Sequence, residues 1–130
     1  MTDNSTGDYV KFRINRAHET LAEIKVLVEN KYWNTAINRM YYACFYAVGA
    51  LLVKNGITTS SHSGSRQKFG QLFVQPGFVS KDLAKHYAEL FEKRHKGDDN
   101  DFFDFDEDTV LRMIEPTKEF INRIDELLNG

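Results

Sequence analysis

The sequence predicts an all-α protein, an antiparallel up-and-down four-helix bundle with one short accessory helix. Three observations carry that expectation. The stretch 36–56, AINRMYYACFYAVGALLVKNG, is apolar or aromatic on every face of a helical wheel and holds a single charge, Arg39, before Lys54. A helix greasy all round is either a membrane span or the central helix of a core. Arg39 and the tyrosines at Tyr41, Tyr42 and Tyr46, set between amphipathic flanks, favour the core, because a span would be almost uniformly aliphatic. Two further segments keep one apolar face at 4-3-4-3-4 spacing, a helical signature. They are Val10, Ile14, Ala17, Leu21, Ile24, Val28 and Val110, Ile114, Thr117, Ile121, Ile124, Leu128. Finally, no segment alternates as a strand would. A chain of 130 residues with 42% hydrophobic and 28% charged residues fits one globular domain.

The elements follow in order. Residues 1–7, small and polar, read as a disordered N-terminus, so the domain spans 8–130. The first helix covers about 8–30, and Asn30-Lys31 breaks it. Tyr32-Trp33 opens the central helix, which ends at Asn55-Gly56 with Gly56 as a left-handed cap. Its small residues Ala36, Ala43, Ala47 and Ala50 would let a neighbour approach closely. Residues 57–65, ITTSSHSGS, form a loop by composition. A short helix over 65–74 points Phe69, Leu72 and Phe73 inward, and Pro76-Gly77 ends it. Ser80 caps a helix over 81–95 with Leu83, Tyr87, Leu90 and Phe91 on its apolar face. After an acidic turn, a last helix runs from Glu107 to Leu128, with Pro116 predicting a kink. The four long helices pack together and the short one is accessory.

With 17 basic and 19 acidic side chains the net charge is −2, so any nucleic-acid contact needs a local basic patch. Cys44, the only cysteine, cannot form an intrachain disulfide, and the acidic, polar MTDNSTGD start is no signal peptide. A cytoplasmic protein without membrane association is expected. The acidic run 98–108 lacks calcium-loop register because Phe102, Phe103 and Phe105 interrupt it. Asp106, Glu107 and Asp108 fit better as anions at the start of the last helix, with the phenylalanines pinning the loop.

The four histidines are too scattered for a zinc motif, and His18 and His86 sit within helices. His62 stands in a Ser/Gly loop leading into a helix, with Arg66 and Lys68 behind it. Such a start can hold a phosphate, or the histidine can simply tie down the loop by hydrogen bonds. Lys93, Arg94, His95 and Lys96 form the densest basic cluster, and Arg94 shares the inward side with Tyr87 and Leu90. A fixed guanidinium there can bind a phosphodiester or pair structurally. Arg39 is a second buried-arginine candidate, with Asp98, Asp99 or Asp101 as partner.

Three parts of the chain together resemble the HEPN domain family, over residues 9–128. They are the helix AINRMYYACFYAVGALLVKNG at 36–56, the histidine loop and helix SHSGSRQKFGQLFV at 61–74, and LFEKRHKGDDNDF at 90–102. The resemblance implies a helical bundle that forms a homodimer. In many HEPN proteins the dimer pairs two Arg-x(4–6)-His motifs into a metal-independent RNA-cleaving site. Many of these proteins are toxins paired with a nucleotidyltransferase antitoxin, and others bind nucleotides. No cofactor is implied. Here Arg94 matches the arginine, while Asp99, Asn100 and Asp101 stand where the histidine would fall. The segment is closer to a variant with Asp-Tyr after the arginine, with Asp98 matching the aspartate and Asp99 in the tyrosine's place. An aspartate is a poor proton shuttle at neutral pH. The expected function is therefore a homodimeric module binding RNA or nucleotide, with a nucleotidyltransferase partner in a toxin–antitoxin-type or defence system. The alternative is a metal-independent endoribonuclease toxin. Arg94 and Asp98 are the catalytic candidates, with Asn100 or His62 as other second residues. Arg39, His62, Arg66, Lys93, Lys96 and Asn100 are the RNA- or nucleotide-binding candidates.

Overall fold

The computed structural model describes residues 2–99 and 103–130. The described residues form helices without strands: α1 Thr2–Glu29, α2 Trp33–Lys54, α3 His62–Phe69, α4 Lys81–Asp99 and α5 Glu107–Asn129. α3 runs on through one π turn, Gly70–Val74, closed by the Gln75 amide on the Gly70 carbonyl at 2.9 Å. α1, α2, α4 and α5 make the bundle, and α2 packs against each of the others and against α3. That placement follows from its composition. Ala36, Ile37, Met40, Ala43, Cys44, Ala47 and Val48 have no exposed surface, and burial pushes the Cys44 thiol pKa up. α2 is long and apolar enough to cross a membrane, but most of it is buried inside the bundle, as a core helix is.

Both ends of the α1–α2 hairpin are closed by backbone geometry. Lys31, with φ 61°, turns the chain, its amide bonds the Val28 carbonyl at 3.0 Å, and the Tyr32 amide bonds that of Leu27 at 2.9 Å. The same paired pattern closes α2, with Gly56 (φ 74°) on Val53 and Ile57 on Leu52. Only three residues separate α1 from α2, so the two must run antiparallel.

Several boundaries differ from those expected. α1 begins at Thr2 rather than near Asp8, since each residue added to a nucleated helix gains a hydrogen bond at little cost. α3 begins at His62, because Ser61 caps it by accepting from the Gly64 amide at 2.9 Å. Leu72 is exposed rather than inward, while Phe69 and Phe73 are buried. α4 continues four residues past His95 to Asp99, so Asp98 and Asp99 are helical. Gly97 within that last turn is a close approach: a Cβ there would lie 3.0 Å from the Phe105 ring and 3.6 Å from Asn34 Cγ. Asn34 also holds the returning loop, donating to the Phe103 carbonyl (2.8 Å) and accepting from the Phe105 amide (2.9 Å). Ser80 caps α4 as expected, and Asp106, expected as an anion at the start of α5, caps that helix by accepting from the Thr109 amide at 2.7 Å. α5 continues through Pro116 as one helix. Phe102 lies outside the described residues.

Two buried polar residues of the core, His86 and Thr117, pair with each other. The Thr117 hydroxyl donates to the Met113 carbonyl at 2.8 Å, so it accepts from His86 Nε2 at 2.9 Å. Burial lowers the His86 pKa, which suits a neutral ring there.

Lys31 offers a direct test of the hairpin geometry. A left-handed non-glycine residue costs about 1–2 kcal/mol, and glycine loses about 0.5–1 kcal/mol more chain entropy on folding. Lys31→Gly should therefore stabilise the protein by roughly 0.5–1 kcal/mol. Urea unfolding should show a higher midpoint with an unchanged slope; a lower midpoint would mean that the turn is not strained.

Candidate functional site

The site grows out of one face of α2. Asn38, Tyr41, Tyr42 and Phe45 stand at i, i+3, i+4 and i+7, a stripe that α3 and α4 cover. Tyr41 is its centre and is fully buried. Its ring stacks on Tyr87 of α4 (5.8 Å, 8° between planes) and meets Phe91 edge-on at 5.8 Å. A buried phenol needs a partner, and the first residue of α3 provides it: the Tyr41 hydroxyl and His62 Nδ1 are 2.7 Å apart. His62 is further held by stacking on Phe45 at 4.3 Å.

Arg94 arrives from α4. Its guanidinium carbon lies 5.0 Å from the Tyr41 ring, 5.6 Å from Tyr42 and 5.8 Å from Phe91. Only 13% of the side chain is exposed. Nη1 is 3.6 Å from the Asp98 carboxylate one turn on, and Nη2 is 3.2 Å from His95 Nε2. Nε is buried and has no hydrogen-bond partner among the described residues. Asp98 is held from its other side by Asn38 Nδ2 at 3.0 Å, and Asn38 Oδ1 accepts from Arg39 at 3.0 and 2.8 Å. Arg39 also lies over Tyr42 at 5.2 Å. A continuous polar chain thus runs Arg39–Asn38–Asp98–Arg94. Arg66, one turn into α3, stacks on Phe91 at 4.3 Å and has no ion-pair partner among the described residues.

Three permanent cations, Arg39, Arg66 and Arg94, therefore share one aromatic cluster in which Asp98 is the carboxylate that contacts Arg94. Burial, then the charges of Arg94 and His95, lowers the His62 pKa, so its imidazole is neutral at pH 7. Burial raises the Tyr41 pKa to about 12, against the opposing pull of Arg94, so the phenol keeps its proton. The arrangement can hold a phosphodiester by guanidinium edges and offers one uncharged imidazole beside it.

Arg39, His62, Arg66, Arg94 and Asp98, all expected as site residues, come together here. Lys93 and Lys96 do not contact this group; they lie over Phe105 (5.7 Å) and Phe103 (4.6 Å) on the flank that the loop before α5 covers. Asn100 lies outside the described residues. Sequence reasoning placed His95 only in the basic cluster, whereas in the structure it contacts Arg94 and packs edge-on against Phe91 at 4.9 Å. It also missed Asn38 and Tyr41; the signal was a polar residue heading an aromatic stripe at helical spacing. Among the described residues no three histidine, cysteine or acidic side chains gather as a metal site would need.

Fold and site together define a small helical-bundle protein whose arginine and histidine, from separate helices, meet on one aromatic cluster. The chain belongs to the HEPN domain family, whose pattern matches residues 10–127. It is similar to a “UPF0332 protein” of Thermotoga maritima, 37% identical over 96% of this chain and 95% of that one. It also resembles two proteins of Methanocaldococcus jannaschii. “Putative toxin MJ0605” is 33% identical over 65% of this chain and 63% of its own. “Putative toxin MJ0142” is 24% identical over 88% and 78%.

The His62 geometry has a measurable consequence. A histidine with a depressed folded pKa contributes stability that is complete above its ordinary value of 6.5 and is lost as the pH falls below it. An NMR titration should give His62 a midpoint under 6.5. Arg94→Ala should raise that midpoint without restoring it fully, since burial is the larger cause. A wild-type midpoint at or above 6.5 would mean that His62 does not sit beside Arg94.

Proposed function

We infer that this HEPN protein binds RNA or a nucleotide through the Arg39–Arg66–Arg94 cluster and acts as a homodimer in a toxin–antitoxin-type or defence system with a nucleotidyltransferase partner. The single observation that carries the binding reading is the surplus of guanidinium groups on one aromatic platform. Arg66 and Arg94 both stack on Phe91, and the Asp98 carboxylate is the acid that contacts Arg94. Stacked guanidiniums keep their N–H edges free for phosphate oxygens, and exposed aromatic edges suit bases. The toxin-type names of the two M. jannaschii relatives support the biological setting. The homodimer, the antitoxin partner and a cytoplasmic location rest on the family resemblance.

A second reading, cleavage, is favoured by one specific observation. The family's second catalytic residue is missing from the Arg94 turn, and His62 reaches the same Tyr41 ring that Arg94 covers. In that reading neutral His62 accepts the proton of a ribose 2′-hydroxyl. The 2′-oxygen attacks the adjacent phosphorus, a 2′,3′-cyclic phosphate forms, and the departing 5′-oxygen takes up a proton. Arg94 steadies the charge gathering on the phosphate oxygens. Asp98, already engaged by Arg94 and Asn38, is a positioning residue rather than a proton shuttle.

Fluorescence anisotropy with a short single-stranded RNA should show salt-dependent binding. Arg66→Ala and Arg94→Ala should each weaken it and each lower the salt slope by about 1. Unchanged affinity in both variants would refute the binding reading. Expression of wild type, Arg94→Ala and His62→Ala in a bacterial host separates the second reading. Cleavage predicts slowed growth and broken RNA with the wild type and neither with the variants. Light scattering at micromolar concentration should give twice the mass of one chain; a monomer mass would remove the dimer.

A further inference from the structure

α1 and α5 run antiparallel: Thr6, Gly7 and Val10 share a recess with Leu128, while Val28 shares one with Ile114. His18 Nε2 and the Asp125 carboxylate, 2.8 Å apart, tie the two helices at one level. On the Ala17, Ile121 and Ile124 side of that tie the apolar faces of both helices are fully buried. On the other side they are not. Leu21, Val28 and Ile114 belong to the same 4-3-4 faces, yet stay half-buried. There the helices leave a groove of about 550 Å³, floored by Leu21, Ala22, Ile24, Val28 and Ile114. Exposed Leu111, one turn from Ile114, extends the strip. No residue of the Arg94 cluster lines it.

The lips of the groove carry one sign of charge at one level. Lys25 follows His18 by as many residues as Lys118 precedes Asp125, about 10 Å along each helix at 1.5 Å per residue. The two lysines therefore stand level on opposite lips, and both line the groove. Among the described residues Lys25 makes no ion pair, and Lys118 reaches only Glu115 of its own helix, at 3.9 Å. Ammonium groups facing each other across apolar surface repel, and a carboxylate brought between them turns that cost into attraction. Glu29 lines the groove one turn beyond Lys25, so an acid is favoured at the lysine level and disfavoured past it. The shape selects the occupant further. An apolar seam between two helices accepts a third, whose residues at i, i+3 or i+4 and i+7 fill the floor. The lysines sit in mid-groove, between Leu21 on one side and Val28 with Ile114 on the other. A single-chain amphiphile with its headgroup at the lysines would leave half of the floor uncovered. A helix with apolar residues before and after its acids covers all of it.

We propose that the α1–α5 groove docks an amphipathic helix of a partner protein, apolar at heptad positions a and d and acidic at e and g where it passes Lys25 and Lys118. The proposal does not rest on RNA or nucleotide binding at the Arg94 cluster. The probe is a side-chain-bridged, two-heptad helical peptide with leucine at a and d and glutamate at e and g. Calorimetry should show it binding at least ten-fold more tightly than the same peptide with lysine at e and g, and salt should shrink that ratio. The amide resonances of residues 21–29 and 111–118 should shift, and those of the Arg94 turn should not. Lys25→Glu combined with Lys118→Glu, both at exposed positions, should reverse the preference. Ala22→Trp, which fills the groove from an exposed position, should weaken the glutamate peptide at least ten-fold, while Arg94→Ala leaves it within two-fold. Equal affinity for the two peptides would overturn the proposal, as would shifts confined to the exposed Leu72 and Phe78 surface. Decanoate binding in the groove more tightly than the peptide would overturn it in favour of an acyl chain. A mass by light scattering that halves in the double lysine variant would overturn it in favour of a second copy. Each of these failures leaves the Arg94 reading standing. If Ala22→Trp fails to fold, the wild-type preference and resonance map decide.

Discussion

The hydrogen bond between the Tyr41 hydroxyl and His62 is the interaction on which the site depends. Tyr41 sits in the middle of a helix with its side chain fully buried, and an unsatisfied buried hydroxyl costs about 1–3 kcal/mol. Meeting that demand fixes where α3 begins, and with it Arg66, one turn further on. The same ring is the floor for Arg94. One buried phenol thus sets the relative positions of three helices at the point where their charged residues meet.

The electrostatics follow from that packing. The chain carries a slight negative charge overall, yet the Tyr41 end gathers arginines. Aromatic faces make this tolerable, since a guanidinium stacked on a ring gains about 0.5–2 kcal/mol without a carboxylate. Asp98 is divided between Arg94 and Asn38 and so cannot cancel the remaining charge. Asp99 pairs with His95 at 3.5 Å, and other acidic residues lie on exposed helix faces and at the start of α5.

Much of this was legible in the sequence. The all-apolar wheel of α2 and the two 4-3-4-3-4 faces required a helical bundle, and Gly56, Ser80 and Asp106 marked three helix ends by local chemistry. Arg94, Arg39 and His62 stood out because charged or polar residues in apolar surroundings must be answered by something. What answered them was not legible. That His62 meets Tyr41 and that Asn38 reaches Asp98 are contacts between residues 21 and 60 positions apart. Periodicity reports which face of a helix is buried, not which neighbour buries it. The extension of α4 to Asp99 was hidden for a related reason. Gly97 and the paired aspartates read locally as a turn, whereas in the structure they continue α4, with Phe105 close against Gly97.

Asn34 gives the molecule a freedom that its catalogue of contacts does not suggest. By bonding the backbone on both sides of residue 104, it anchors the chain where it re-enters the bundle, while α4 anchors it up to Asp99. Arg94 and the start of α5 are each held by contacts outside the stretch between those two moorings. A change of sequence confined to that stretch therefore leaves both anchors in place.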